Sequence, residues 1–200
     1  MYISYKKLGF VKLILCFAMK NVLILIILPA LLFIAGCSED SSSPSGNKNV
    51  PASPEIGEQI PDIKLQKSDG GTFDLSDHKG EVILFEYWTH TCHICERDMP
   101  ETIALQEKHK DKPFTVVTVN PFNTSESIWK EYVGKWNMES LINVQDDFKL
   151  NVNGSKYSVH SYFDIGYTPY FFLVGTEGKL LYKGINNKQM FEYHIEDQLD

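Results

Sequence analysis

The scarcities in this sequence narrow it first. Only 13 Gly and 9 Pro occur in 200 residues, too few for a collagen-like repeat or a wholly disordered chain. Positive charge is thin beyond the N-terminus. The first 36 residues hold four Lys and no Asp or Glu, so the whole-chain formal charge of −7 leaves −11 on residues 37–200. A body that acidic argues against nucleic acid as a partner, because phosphate-backbone binding relies on Lys and Arg displacing counterions. Cysteine is also scarce, with four residues at positions 16, 37, 92 and 95. No internal repeat is visible. The rest is ordinary for a soluble globular chain with a real core: 43% hydrophobic and 12% aromatic residues, at a length that suggests one domain plus attachments.

The N-terminus reads as an address. Residues 22–36, VLILIILPALLFIAG, form a charge-free apolar run of 15 residues behind Lys20. A spanning helix needs about 20 apolar residues, whereas a signal-peptide core is this short. The run ends in Ile34-Ala35-Gly36-Cys37, which resembles a bacterial lipobox: an aliphatic residue, two small residues, then the cysteine that becomes lipid-modified. The competing reading is a transmembrane anchor with an incidental Cys. Met19-Lys20-Asn21 would itself make a normal signal-peptide start, leaving residues 1–18 as an upstream extension. Residues 38–55, rich in Ser, Pro and Asn, read as a disordered tether with a reach of roughly 25 Å. The expected organisation is a signal peptide over 1–36, a tether over 37–55 and one folded domain over 56–200. The expected location is the cell envelope, with the domain held by lipid on Cys37 and facing the periplasm or the cell exterior.

If Cys37 is acylated and Cys16 lies in the leader, the body keeps only Cys92-His93-Ile94-Cys95. Two cysteines so close cannot staple a distant loop. A C-x-x-C pair serves as a redox dithiol, half of a zinc site or a haem attachment. Haem attachment requires His after the second Cys, and that residue is Glu96. Zinc wants four ligands; no second cysteine pair exists, and His90 and His93 share the same short loop.

Glu81–Trp88 is β-branched and aromatic and reads as a buried strand. A helix is predicted over Glu96–His109, kinked by Pro100. Cys92 then falls where a strand ends and a helix begins, and the free amides and dipole of a helix N-terminus stabilise a thiolate. Further on, Pro113–Asn120 reads as a strand, Ser125–Met138 as a helix capped by Ser125 or Thr124, and Leu141–Val144 as a short strand. Lys156–Asp164 reads as helical. Tyr170–Val174 and Lys179–Lys183 form a hairpin around Gly175–Gly178, and Asn187–Leu199 closes the chain as an amphipathic helix.

These landmarks carry a resemblance. Gly57, Ile60-Pro61-Asp62-Ile63 and Leu65 precede Gly71, Leu75-Ser76-Asp77 and Lys79-Gly80. Then come Trp88, the cysteine pair, Pro100, Gly166-Tyr167-Thr168-Pro169 and Glu177-Gly178-Lys179. In this order and spacing, residues 56–200 resemble the thioredoxin-like TlpA/ResA-type membrane-anchored thiol–disulfide oxidoreductases. The resemblance implies an α/β fold of three layers, α/β/α, with a central mixed sheet and an N-terminal β-hairpin extension. It implies Cys92 as nucleophile, Cys95 as resolving thiol and Glu86 as a buried strand carboxylate that exchanges a proton with Cys95. Pro169 matches a cis-proline that aims the Thr168 backbone at an extended substrate and keeps metals off the thiols. Asp98 matches an acidic position of the ResA-like branch; the plain alternatives are a solvated Asp98 and a Glu86 turned to water. The implied function is reduction of disulfides in exported proteins, with a membrane electron-donor protein as partner and no cofactor or metal.

The chain departs from the family at Thr91, where Trp is usual, so the docking rim around Thr91, His93 and Thr168 is altered. Its His-Ile dipeptide replaces Gly-Pro or Pro-Pro. A cationic His93 would favour the Cys92 thiolate and a more oxidising disulfide, so the direction of electron flow stays open. Two other functions compete. Tyr87-Trp88-Thr89-His90 resembles copper-delivery relatives on this fold, but those use C-x-x-x-C and a distant His, for which His160 and His194 are the candidates. Thr89-x-x-Cys92 matches part of a peroxiredoxin signature, whose expected Pro is here Phe85.

Overall fold

The computed structural model describes residues 51–199. The candidate signal peptide, Met19, Cys37 and most of the tether lie outside them. Among the described residues no helix is long and apolar enough to cross a membrane.

The sheet is organised around β3 (Val82–Tyr87), whose six residues are all buried. A strand sealed on both faces explains why its sequence is a near-continuous apolar run rather than an alternation. β4 (Phe114–Asn120) pairs parallel to it, and β5 (Ile142–Gln145) pairs parallel to β4. The antiparallel β8 (Tyr170–Val174) and β9 (Leu180–Gly184) complete one side. On the other side β5 pairs antiparallel with β1 (Lys64–Lys67), which forms a hairpin with β2 (Thr72–Asp74). The seven-stranded order is β2-β1-β5-β4-β3-β8-β9, a mixed sheet with the N-terminal hairpin at its edge. The opposite edge, β9, is covered by the chain before β1: Gly57 N–H donates to Leu180 O at 2.7 Å and Leu180 N–H to Glu58 O at 2.9 Å. That contact shields strand amides from pairing with another chain.

One face carries helices α1 (His93–Lys108), α2 (Glu126–Lys135) and α4 (Lys188–Leu199) through Met99, Leu105, Trp129, Val133, Phe191 and Ile195. The other face is closed by Ile60 and Ile63, by Leu65 and Phe73 of the hairpin, and by a thin layer around α3 (Val159–Tyr162). A ring stack runs through this second core, with Phe85–Phe172 centroids 4.4 Å apart and Phe163–Phe172 4.1 Å apart.

Two elements differ from the sequence reading. Helix α1 begins at His93, three residues before Glu96, because Cys92 itself caps it: its Sγ accepts the Cys95 N–H. Lys156–Asp164 is not one helix. Lys156 and Tyr157 belong to β7 (Ser155–Tyr157), which pairs antiparallel with β6 (Leu150–Val152), and only Val159–Tyr162 is helical. Asn153 and Gly154, with φ of 52° and 83°, form the two-residue turn that an Asn-Gly pair favours between twisted strands. Ser158 starts α3 through a reciprocal cap with Ser161, fixing its first turn immediately after the strand.

Candidate active site

Strand β3 delivers the chain to the site. Trp88 extends the ladder by donating its N–H to Val119 O at 3.1 Å, and a short loop then leads to Cys92. The Cys92–Cys95 disulfide is formed, with Cα atoms 5.2 Å apart. Cys92 is half-buried while Cys95 is fully buried. Attack from outside can therefore reach only the first sulfur. Cys92 Sγ also accepts the Cys95 N–H at 3.1 Å, so one first-turn donor of α1 is aimed at the accessible sulfur, where it would stabilise a thiolate.

Glu86 lies on the α1 side of β3 and is entirely inaccessible to solvent. Thr102 Oγ1 donates to its Oε2 at 2.8 Å, and its Oε1 has no partner among the described residues. Burial pushes the carboxyl up to about 8; the Thr102 hydrogen bond pulls the other way, and the Asp98 carboxylate adds to the rise. An acid so placed exchanges its proton near neutral pH. Cys95, Met99 and Thr102 form one buried stripe along α1 at the i, i+4, i+7 spacing of a helix face. Thr102 was not among the residues singled out in the sequence, although the helical repeat from Cys95 leads directly to it. Asp98 is half-buried and takes hydrogen bonds from the Arg97 guanidinium, at 2.6 Å from Nε. Pro100 sits inside α1, which removes the backbone bond to the Glu96 carbonyl.

The Thr168–Pro169 peptide bond is cis. The β3–β8 register pairs Tyr87 with Tyr170, which sets Thr168 and Pro169 beside the loop that leads to Cys92. Thr89 and Thr168 line the same cleft, of about 380 Å³, together with Pro121, Phe122, His160 and Tyr167. Thr91 and His93 are exposed at the loop, and Thr91 Oγ1 lies 3.1 Å from Thr89 Oγ1. Among the described residues, no group of three or more His, Cys, Asp or Glu side chains is gathered as a metal centre requires. His160, one distant histidine weighed for copper, has its ring 5.9 Å from that of Tyr87. Its backbone N–H is bound by Asp146.

A redox cysteine pair at a strand-to-helix junction, one sulfur accessible and one buried on the same side of the sheet as a buried acid, defines a thiol–disulfide oxidoreductase on a thioredoxin-like framework. The chain belongs to the Redoxin family, which matches residues 55–192. It is similar to a thiol-disulfide oxidoreductase ResA of Bacillus cereus, with 23% identity over 144 residues covering 71% of this chain and 78% of that protein. A shorter stretch of 75 residues is 36% identical to the thioredoxin-like protein YneN of Bacillus subtilis, covering 38% of this chain and 43% of that protein. Among solved structures, the thioredoxin domain of a thiol-disulfide oxidoreductase from Bacteroides vulgatus superposes with a TM-score of 0.60 at 23% identity, covering 73% of this chain and 99% of that one. The fold and the ResA/TlpA-type resemblance read from the sequence are borne out by these matches.

Proposed function

We propose that the protein is a membrane-tethered thiol–disulfide oxidoreductase outside the cytoplasm that reduces disulfides of exported proteins through Cys92 and Cys95. The observation that carries the reading is the asymmetry of the pair: Cys92 half-buried at the cap of α1, Cys95 wholly buried one turn later. Cys92 thiolate attacks a substrate sulfur, and the substrate disulfide breaks to give a mixed disulfide. Glu86 takes the proton of Cys95, whose sulfur then attacks Cys92 and releases the second substrate thiolate. Two electrons pass to the substrate, and both departing thiolates take protons from solvent. Thr168, beside cis-Pro169, offers its backbone to an extended substrate, with Thr91 and His93 forming the rim. A membrane donor returns two electrons to the Cys92–Cys95 disulfide. Lipid on Cys37 and the tether hold the domain at the envelope.

Trapping tests the exchange. A Cys95→Ser variant is expected to accumulate a mixed disulfide with a disulfide-bearing polypeptide, bonded through Cys92. Absence of the adduct, or its persistence in a Cys92→Ser control, contradicts the assignment. Fatty-acid labelling of cells tests the tether: label incorporated by the full chain and lost in Cys37→Ser supports it, and label absent from both overturns it.

A further inference from the structure

Glu86 is sealed from solvent, yet the exchange cycle requires its proton to reach solvent and return. The described residues contain eleven buried side-chain polar atoms without a hydrogen-bond partner, and six of them belong to Glu86, Trp88, His90, Asn120 and Trp136. They are Glu86 Oε1, Trp88 Nε1, His90 Nδ1, both amide atoms of Asn120, and Trp136 Nε1.

Four of these side chains lie together on the α1 side of the sheet, and the Tyr132 ring links them to His90. Glu86 and Trp88 are two apart on the same face of the β3 chain, by the alternation of a strand. The β3–β4 register pairs Glu86 with Thr118, so Trp88 lies beside Asn120 one step further on. The Trp88 ring is 4.9 Å from that of Trp136, Trp136 is 5.4 Å from Tyr132, and Tyr132 is 5.4 Å from His90. Thr118 and Asn143 beside them are satisfied: Thr118 Oγ1 donates to Asn143 Oδ1 at 2.7 Å, and the Asn143 amide donates to Met138 O and Leu141 O; Trp129 Nε1 in the same core is also unpartnered. The side chains that carry the unpartnered atoms thus connect the buried acid to the loop, the last link running through the Tyr132 ring, and the last member, His90, is half-buried with its Nδ1 sealed. Buried donors and acceptors are costly without partners, and bound water is their usual partner where several converge.

We propose that this row holds a short file of buried water that carries protons between Glu86 and solvent, with His90 as its mouth. The inference rests on the reading of Glu86 as the proton acceptor for Cys95. Because Thr102 occupies Oε2, the proton of Cys95 goes to Oε1, the oxygen that faces no other partner. After Cys95 attacks Cys92 and the substrate thiolate leaves, Oε1 gives that proton to the file. Trp88 and Trp136 donate to the water, Asn120 both donates and accepts, and the His90 imidazole exchanges at its two nitrogens. The charged and titratable groups around the file are Asp98 on α1, Tyr132 on α2, and Lys135, whose Nζ sits 4.7 Å from the Tyr132 ring centre.

The test is the resolving step, followed by stopped-flow release of a chromogenic thiol from the mixed disulfide in the full chain. His90→Ala is expected to slow that step about tenfold, to be restored by added imidazole in proportion to its concentration, and to show a larger solvent isotope effect. Asn120→Leu, with the same γ-branched shape but without polar atoms, is expected to slow it without imidazole rescue. A packing role for His90 would give no imidazole response. Glu86→Gln run in parallel separates the two ideas. If Glu86→Gln slows resolution while His90→Ala and Asn120→Leu do not, the water file is wrong and the acid stands. If Glu86→Gln leaves the rate unchanged, the reading beneath the proposal fails. Slowing by Asp98→Asn in place of His90→Ala would put the exit on the other side of α1 and overturn the proposal.

Discussion

The two faces of the sheet treat polarity in opposite ways. On the face closed by the hairpin and α3, Phe73, Phe85, Phe163 and Phe172 stack in a dry core. The buried acid at its edge, Asp146, is fully engaged: it accepts the Tyr87 hydroxyl and the N–H groups of Val159 and His160. On the face under α1, α2 and α4, the buried acid is Glu86, held by one hydroxyl and left with one oxygen free. Trp88, Asn120 and Trp136 next to it also bury polar atoms without protein partners. Both faces bury an acid at the expense of its ionisation, but only one leaves a carboxyl oxygen without a partner. The first face is packed to satisfaction, and the second keeps unpartnered buried polar atoms under the helix that presents the cysteines.

The comparison breaks most sharply at the extremes. Cys92→Ser should abolish disulfide reduction, by at least about a thousandfold in turnover, with little change in the thermal midpoint of the reduced protein; a steady-state assay beside a melting curve checks both. Phe172→Ala should do the reverse. Emptying the ring stack costs about 3–5 kcal/mol by denaturant titration, while the folded fraction keeps its exchange rate.

Glu86→Gln lies between these two. It should slow the resolving step about ten- to a hundredfold and also change how stability depends on pH. The carboxyl ordinarily titrates at 4.5 and is raised to about 8 in the fold. The folded protein therefore binds more protons than the unfolded one across that window. The stability linked to this proton is fully present below about 4.5 and is lost as pH rises through about 8, and the Gln variant should lack that loss in melts taken from pH 4 to 9. The smallest effect belongs to Thr102→Val. Removing a hydrogen bond that favours the charged carboxylate should move the pH profile of the resolving step upward by about half a unit to one unit. Thr102→Ser should restore it, whereas a role in packing alone would leave the profile in place.

Much of this was legible in the sequence because the strongest signals are local. The apolar runs of β3, β4 and β8 marked the core strands, and the strand–loop–cysteine order placed Cys92 at a helix start. Glu86, six residues before Cys92, was marked only by the resemblance to the family. What escaped depends on contacts across elements. Thr102 matters because it meets Glu86 from another element, and no spacing within β3 announces that. Asn120 and Trp136 join the patch through strand register and ring contact. The early start of α1 turned on a thiol acting as a cap, an uncommon choice beside Ser, Thr, Asp or Asn. The β6–β7 hairpin was signalled by Asn153-Gly154, but the flanking Lys156–Asp164 stretch was read as one helix.

The most direct test of the account is the reduction potential of the Cys92–Cys95 couple from pH 5.5 to 9.5, poised with glutathione or dithiothreitol and read by alkylation. The expected result is a reversible two-electron transition whose pH slope breaks near 8, where Glu86 titrates, with the break gone in Glu86→Gln. A value near thioredoxin's roughly −270 mV fits a reductase, and one near about −120 mV would turn the proposed direction of electron flow around. An irreversible couple, or the same unbroken slope in both proteins, would contradict the claim that the polar face of the sheet exists to serve the thiols.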